Sequence, residues 1–311
     1  MDKDIEARPQ ASPQRAPSGA LDLSRRPPVV AVLNATPDSF SDRGDDRSPQ
    51  AAAAQIAGKL EAGADLIEVG GESNVSNRPP VPFEEEIERV VPVVRAAVEA
   101  GATVSIDTYK PPVAAAALDA GAAIVNDISG FADPEMVTLC AERRCGAVLM
   151  HTITPPKVSL WDDDAYAGEP GGVAGSVVAW LDREAERLQS AGIAAASICL
   201  DPGVDFGKTP AQSVAVMRRF AEVCALGYPV MSAVSRKDFV GALTGRRPSQ
   251  RLAGTLAAVG WAVQSGARLV RAHDVAATRD FLTVLDALLG RAAVPPELRI
   301  GEDIRREAPA A

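Results

Sequence analysis

Four times in this chain a glycine between small residues stands just ahead of a short apolar run. Ala62-Gly63-Ala64 precedes Asp65–Val69, Ala100-Gly101-Ala102 precedes Thr103–Asp107, Ala120-Gly121-Ala122 precedes Ala123–Asp127, and Ser265-Gly266-Ala267 precedes Leu269–His273. Glycine in that place supplies the left-handed cap that ends a helix before a strand. The apolar run Val29–Leu33 ahead of Asn34 lacks alternation, as suits a strand covered on both faces in a parallel sheet.

The same alternation runs from Val29 onward. Strands are expected at Val29–Asn34, Ala147–His151, Ser197–Asp201 and Val230–Val234 besides the four above. Helices are expected at Gln50–Ala62, Phe83–Glu99, Pro112–Ala120, after Pro134, near Val173–Ala191, and at Pro210–Leu226, Pro248–Ser265 and Ala277–Leu289. Roughly eight β-α units in about 250 residues is the size of a single α/β (β/α)8 TIM barrel, preferred here over a doubly wound open sheet. We expect residues 29–290 to form it. Residues 1–28, rich in Pro, Ala, Ser and charge, are expected to be a disordered N-terminal extension, and 291–311 a flexible tail.

Composition narrows the partners. The net charge is −9, the hydrophobic content 47% and the aromatic content 4%, so aliphatic packing dominates and nucleic-acid binding is not expected. No apolar stretch approaches the roughly 20 residues of a membrane span, and no signal-type region is seen. The four cysteines show no C-x-x-C spacing, which reads as reduced thiols in a cytoplasmic protein.

In a barrel of this kind the carboxyl ends of the strands carry the chemistry. Here they end in Asn34, Glu72, Asp107, Asn126 with Asp127, His151, Asp201, Ser235-Arg236-Lys237, and Arg271 with His273-Asp274. Buried polar groups are costly unless partnered, so such a set points to one convergent pocket. Asp107, Asn126 and Asp201 suit a flat heterocycle with N–H donors; Lys237, Arg271 and His273 suit a phosphate or pyrophosphate. Asn34 and Asp38 beside that anion offer oxygen ligands to a hard cation such as Mg2+. Asp127 and Asp274 are equally suited to capping helices or bracing loops.

These segments resemble the dihydropteroate synthase family from about Val29 to Leu289. The resemblance rests on Leu33-Asn34-Ala35-Thr36-Pro37-Asp38-Ser39-Phe40, Gly70-Gly71-Glu72-Ser73, Ser105-Ile106-Asp107, Asn126-Asp127, Asp201-Pro202-Gly203 with Phe206-Gly207-Lys208-Thr209, Ser235-Arg236-Lys237 and Arg271-Ala272-His273. It implies a transferase that joins 6-hydroxymethyl-7,8-dihydropterin diphosphate to 4-aminobenzoate in folate biosynthesis, releasing pyrophosphate. By that resemblance Asp107, Asn126, Asp201 and Lys237 hold the pterin, with Asp107, Asp201 and Lys237 catalytic. Asn34, Arg271 and His273 hold the diphosphate, Asn34 also binds Mg2+, and the protein is a homodimer. Two departures fall on the acceptor side. The second loop reads Gly70-Gly71-Glu72-Ser73-Asn74-Val75-Ser76-Asn77-Arg78-Pro79 and is longer than the family's, and Asp238 stands where the family often has Ser after Ser-Arg-Lys. Arg78 and Asp238 are therefore the acceptor-side candidates. The departures also fit a paralogue with another amine acceptor or without synthase activity, or a non-catalytic pterin-binding protein.

Overall fold

The computed structural model describes residues 23, 26–36, 49–73, 79–158, 160–302 and 304–306. Among these, eight parallel strands form one sheet in the order β6-β5-β4-β3-β2-β1-β8-β7. The strands are β1 (Val29–Asn34), β2 (Leu66–Gly70), β3 (Thr103–Asp107), β4 (Ile124–Asp127), β5 (Gly146–Met150), β6 (Ile198–Asp201), β7 (Met231–Ser232) and β8 (Leu269–Ala272). A parallel bridge between Leu200 and Val230 joins the two ends of that order, closing an α/β barrel. The expected TIM barrel is the observed fold.

All four glycines that mark the helix-to-strand turns adopt left-handed backbone: φ is 92° at Gly63, 82° at Gly101, 106° at Gly121 and 111° at Gly266. A side chain in that region is strained, which is why glycine recurs there. The helices ahead of them are α1 (Pro49–Glu61), α2 (Phe83–Glu99), α3 (Pro111–Asp119) and α9 (Leu252–Gln264). In α2, Glu84, Glu85 and Glu86 occupy the first turn, where negative charge favours the helix dipole, and Val90, Val93, Val94 and Ala97 bury one stripe.

The remaining helices are α4 (Pro134–Arg143), α5 (Gly172–Ser190), α6 (Pro210–Arg218), α7 (Phe220–Cys224), α8 (Asp238–Thr244) and α10 (Val275–Leu288). Two sequence expectations need correction. The helix expected over Pro210–Leu226 is split at Arg219, and the one expected from Pro248 opens as a 3-10 turn, with α9 starting at Leu252. Arg219 leaves helical geometry, with φ −109° and ψ 21°, and its guanidinium donates to the Gly171 carbonyl at 2.7 Å. The short α8 was not anticipated.

Strand side chains alternate between two environments. Val29, Ala31, Ile67, Val104, Val125, Leu149 and Leu200 pack outward against the helices. Val30, Leu66, Ile124, Val148, Cys199, Met231 and Leu269 point inward and form a separate apolar plug, to which Leu23 of the N-terminal segment adds its side chain. The plug fills the amino-terminal half of the barrel. Side chains of the same phase further along each strand are left to line the other mouth.

Candidate active site

One or two steps beyond the plug, on the same inward phase, stand Glu68, Asp107, Asn126, Asp201, Arg271 and His273. The register explains their convergence: Gly70 pairs with Asp107, and Asp107 with Asn126. Val30 pairs with Arg271, bringing β8 beside β1. Asn34 closes β1 opposite Gly70, and a side-chain carbon added at Gly70 would lie 3.7 Å from the Asp107 side chain and 3.9 Å from Asn34 Oδ1.

Charge in the pocket is organised around Arg271. Its Nε donates to Glu68 Oε1, and its Nη2 donates to Asp107 Oδ2 at 3.0 Å. Burial works against the guanidinium charge, but the Glu68 and Asp107 carboxylates outweigh it and bind its proton more firmly than usual. Among the described residues, the bonds to these two carboxylates use Nε and Nη2 and leave Nη1 out. Glu68 also accepts from Asn126 Nδ2 at 3.0 Å.

Asp201 is 4% exposed. Burial pushes its carboxyl up, opposed by the Gly203 N–H at 2.8 Å and by Lys237 and Arg271. The turn after it, Pro202-Gly203, passes so close to β5 that a side-chain carbon at Gly203 would sit 1.9 Å from the His151 carbonyl oxygen. Only glycine fits there, with φ at 63°.

Lys237 follows Arg236, whose φ of 60° turns the chain sharply into α8. The Lys237 ammonium lies 4.1 Å from the centre of the Phe206 ring, a cation–π contact, and burial lowers its pKa, against the pull of Asp205 and Asp201. Asp205 accepts from the Asp238 and Phe239 backbone N–H groups, capping α8, and is itself held by Ser213 Oγ at 2.8 Å. Arg236 makes a bidentate pair with Asp274, at 2.6 and 3.0 Å, so Asp274 braces a loop.

His273 bonds Ser235 Oγ through Nδ1 at 2.9 Å, and burial, then Arg271 and Arg236, push its pKa down to about 4. The ring is neutral at pH 7. Because the unfolded imidazole titrates near 6.5, the folded state binds fewer protons between pH 6.5 and 4, and this contribution to stability is lost as pH falls through that window. Asp127, raised by burial to about 6, acts with the opposite sign over part of the same range. The difference between wild type and His273→Asn therefore isolates the histidine: urea midpoints should fall more steeply in the wild type on going from pH 6.5 to 4. Parallel slopes would contradict the assignment.

Other candidates named from strand ends lie elsewhere. His151 is 0% exposed on the outward side of the barrel, edge-on to Trp180 with 5.1 Å between ring centres, and bonded through Nδ1 to Lys208 Nζ at 2.9 Å. Asp127 accepts from the Ser129 backbone at 2.7 Å. Glu72 is the hub of a separate cluster: it takes Lys110 and the Val81 N–H, with Lys157 at 3.3 Å. Asp238 opens α8 with its carboxylate 2.9 Å from Arg251 Nη1 and 63% exposed. Arg78 and Asp38 lie outside the described residues. The sequence did not single out Glu68, and it marked Phe206 and Lys208 only as members of the motif Phe206-Gly207-Lys208-Thr209, without a role. Glu68 carried a signal, as the lone charge inside the apolar run Leu66-Ile67-Glu68-Val69.

Residues 30–273 match the family described as Pterin binding enzyme. A Streptococcus pyogenes dihydropteroate synthase is 38% identical over 265 residues, covering 84% of this chain and 95% of that protein. A probable bifunctional folylpolyglutamate synthase/dihydropteroate synthase of Haloferax volcanii is 39% identical over 247 residues; the match takes in 79% of this chain but 29% of that longer protein. The Xanthomonas albilineans dihydropteroate synthase, solved with 4-aminobenzoic acid, superposes with a TM-score of 0.81 at 40% identity, covering 91% of this chain and 100% of that one. With the barrel, the ordered strand-end motifs and these likenesses over most of its length, the chain belongs to the dihydropteroate synthase family of pterin-binding transferases.

Proposed function

We propose that the protein condenses 6-hydroxymethyl-7,8-dihydropterin diphosphate with 4-aminobenzoate, the reaction its relatives are named for. The observation that carries this reading is the division of one barrel mouth into an acceptor-rich floor, Asp107, Asn126 and Asp201, and a cationic side, Lys237 and Arg271 with His273. The floor accepts N–H donors of a pterin ring. Arg271 Nη1 and the His273 ring face the charge that develops on the departing diphosphate. The C–O bond at the exocyclic methylene breaks with its electrons going to pyrophosphate, while the arylamine nitrogen forms the C–N bond and gives up a proton. Asp201 and Asp107, holding the ring N–H groups, favour the electron-poor methylene as the bond opens. No nucleophile from the protein is needed.

Among the described residues no group of three or more His, Cys, Asp and Glu is placed to hold a metal. The strand-end oxygen of Asn34 fits a hard cation that brings most of its ligands as phosphate oxygens and waters, the usual Mg2+ arrangement. Bound there, Mg2+ would neutralise charge on the leaving group. Asp238 does not weigh against an acceptor carboxylate, because Arg251 already pairs with it. This favours the synthase over a paralogue with another acceptor.

No described helix is long and apolar enough to cross a membrane. Cys140, Cys145, Cys199 and Cys224 are all unpaired thiols, in keeping with a cytoplasmic setting. A homodimer is supported by the outer surface of α10, where Val284 and Leu288, one turn apart, are 60% and 79% exposed. Leu288→Asp should shift the protein from dimer to monomer in light scattering at micromolar concentration, a loss of at least tenfold in self-affinity; an unchanged dimer would place the interface elsewhere.

The test of the activity is pyrophosphate release from the pterin diphosphate with Mg2+, with and without 4-aminobenzoate. Release that depends on the arylamine supports the synthase. Pterin binding without release would instead support a pterin-binding protein.

A further inference from the structure

Glu68 is 1% exposed and stands in mid-strand, below the residues expected to touch substrate. Its two oxygens have different tasks: Oε1 accepts from Arg271 Nε, and Oε2 accepts from Asn126 Nδ2 at 3.0 Å. A carboxylate paired with a guanidinium is an acceptor only, so the Asn126 amide must turn its NH2 group toward Glu68. Its carbonyl oxygen is thereby turned away. That oxygen is buried, and it has no hydrogen-bond partner among the described residues. A buried amide oxygen without a partner is uncommon in a folded protein, and here its residue pairs in register with Asp107.

We propose that Glu68 is a positioning residue that sets the hydrogen-bond polarity of the pocket. By fixing the Asn126 amide it makes that subsite an acceptor, so the site selects a ring presenting an N–H there and rejects an isosteric ring presenting a lone pair. The inference rests on the pterin reading for the identity of the ring, but the coupling of Glu68 to Asn126 stands on geometry alone.

A charge swap tests it. Glu68→Gln keeps the shape but offers one acceptor and one donor. With the new amide oxygen on Arg271, its NH2 group faces Asn126 and forces that side chain to flip, putting a donor into the pocket. In calorimetry with 6-hydroxymethyl-7,8-dihydropterin diphosphate, E68Q should raise Kd by about 30-fold. The double variant E68Q/N126D keeps the wild-type net charge. Its carboxylate, now on β4, accepts from the introduced amide with one oxygen and offers the second to the ring, so Kd should return to within about threefold of wild type. N126D alone sets two carboxylates against each other and should bind more weakly than the double variant. A double variant no better than E68Q overturns the proposal.

Melting temperatures of the four ligand-free proteins separate this failure from failure of the pterin reading. The swap should recover most of the loss seen in each single variant, whereas additive losses would overturn the coupling even if the wild type bound no pterin.

Discussion

Asp201→Asn should abolish useful binding of the pterin diphosphate, raising its Kd by on the order of 10²- to 10³-fold, with the melting temperature nearly unchanged. The carboxylate sits at the bottom of the pocket with 4% exposure, and Oδ1 already accepts from the Gly203 backbone. Oδ2 is the oxygen left to face a ligand. In the variant the amide can satisfy Gly203 only with its oxygen, so its NH2 is aimed at whatever the wild-type oxygen received. A ring N–H then meets an N–H. The loss combines a charge-assisted hydrogen bond, about 1.5–3 kcal/mol, with the cost of a buried donor left unmet, about 1–3 kcal/mol. Fold stability is spared because burial disfavours the ionised form, so removing that charge relieves desolvation as it removes attraction to Lys237 and Arg271. Calorimetry at pH 7 decides the matter. A Kd within about fivefold of wild type would mean that Asp201 does not read the ring.

The residues that give this result were readable from sequence because two rules act together, and the misplacements came from applying only one. Ending a buried strand sets how far along the barrel axis a residue lies. The alternation of strand side chains sets whether it faces the interior. Asp107, Asn126, Asp201 and Arg271 satisfy both, since their neighbours Ile106, Val125, Leu200 and Val270 pack outward. His151 satisfies the first only: it is buried on the outward side among Trp180, Tyr166 and Lys208. Asp127, next to inward-facing Asn126, fails the same way. Counting in twos from Ile124 or Val148 would have separated the inward positions from these two.

Glu68 shows the converse. Its phase is right, but it lies two residues before the end of β2, so a search confined to strand ends cannot find it. β1, with its unbroken apolar run, and β3, held between the Gly101 turn and Asp107, were legible to the residue. The break at Arg219 and the seven-residue α8 depend on tertiary contacts, the Gly171 carbonyl in one case and the Asp205 cap in the other, and leave no periodicity to read.

Lys208→Met should lower the melting temperature by about 10 °C, although the lysine touches no substrate in the proposed reaction. Its side chain is 1% exposed, and its ammonium has three N–H donors. They meet three acceptors: His151 Nδ1 at 2.9 Å, the Gly203 carbonyl at 2.8 Å and the Phe206 carbonyl at 3.0 Å. That match fixes the tautomer of His151, whose pKa burial and Lys208 push well below the ordinary value. Replacing a buried charge by an apolar group is often harmless when its partners are replaced too. Here all three partners stay, walled off from water, and each costs about 1–3 kcal/mol when unmet. Allowing for relaxation of the loop, a net loss of about 3 kcal/mol is expected, and for a domain of this size each kcal/mol is worth roughly 2–4 °C.

Burial also lowers the Lys208 pKa to about 7. The native state then binds fewer protons than the unfolded chain between pH 7 and about 10.5, so the lysine's contribution makes the wild type more stable as pH rises through that window. Lys208→Met should lack that increment. The defect also reaches the site. Gly203 and Phe206 belong to the turn after β6, and Lys237 rests on the Phe206 ring, so weaker pterin binding should accompany the lower melting temperature. An exposed pair such as Arg143–Asp119 provides the scale, since Arg143→Ala should cost less than about 1 kcal/mol. If Lys208→Met melts no lower than Arg143→Ala, the tripod is not what holds this loop, and the turn must be fixed by Pro202 and the close approach of Gly203 to β5.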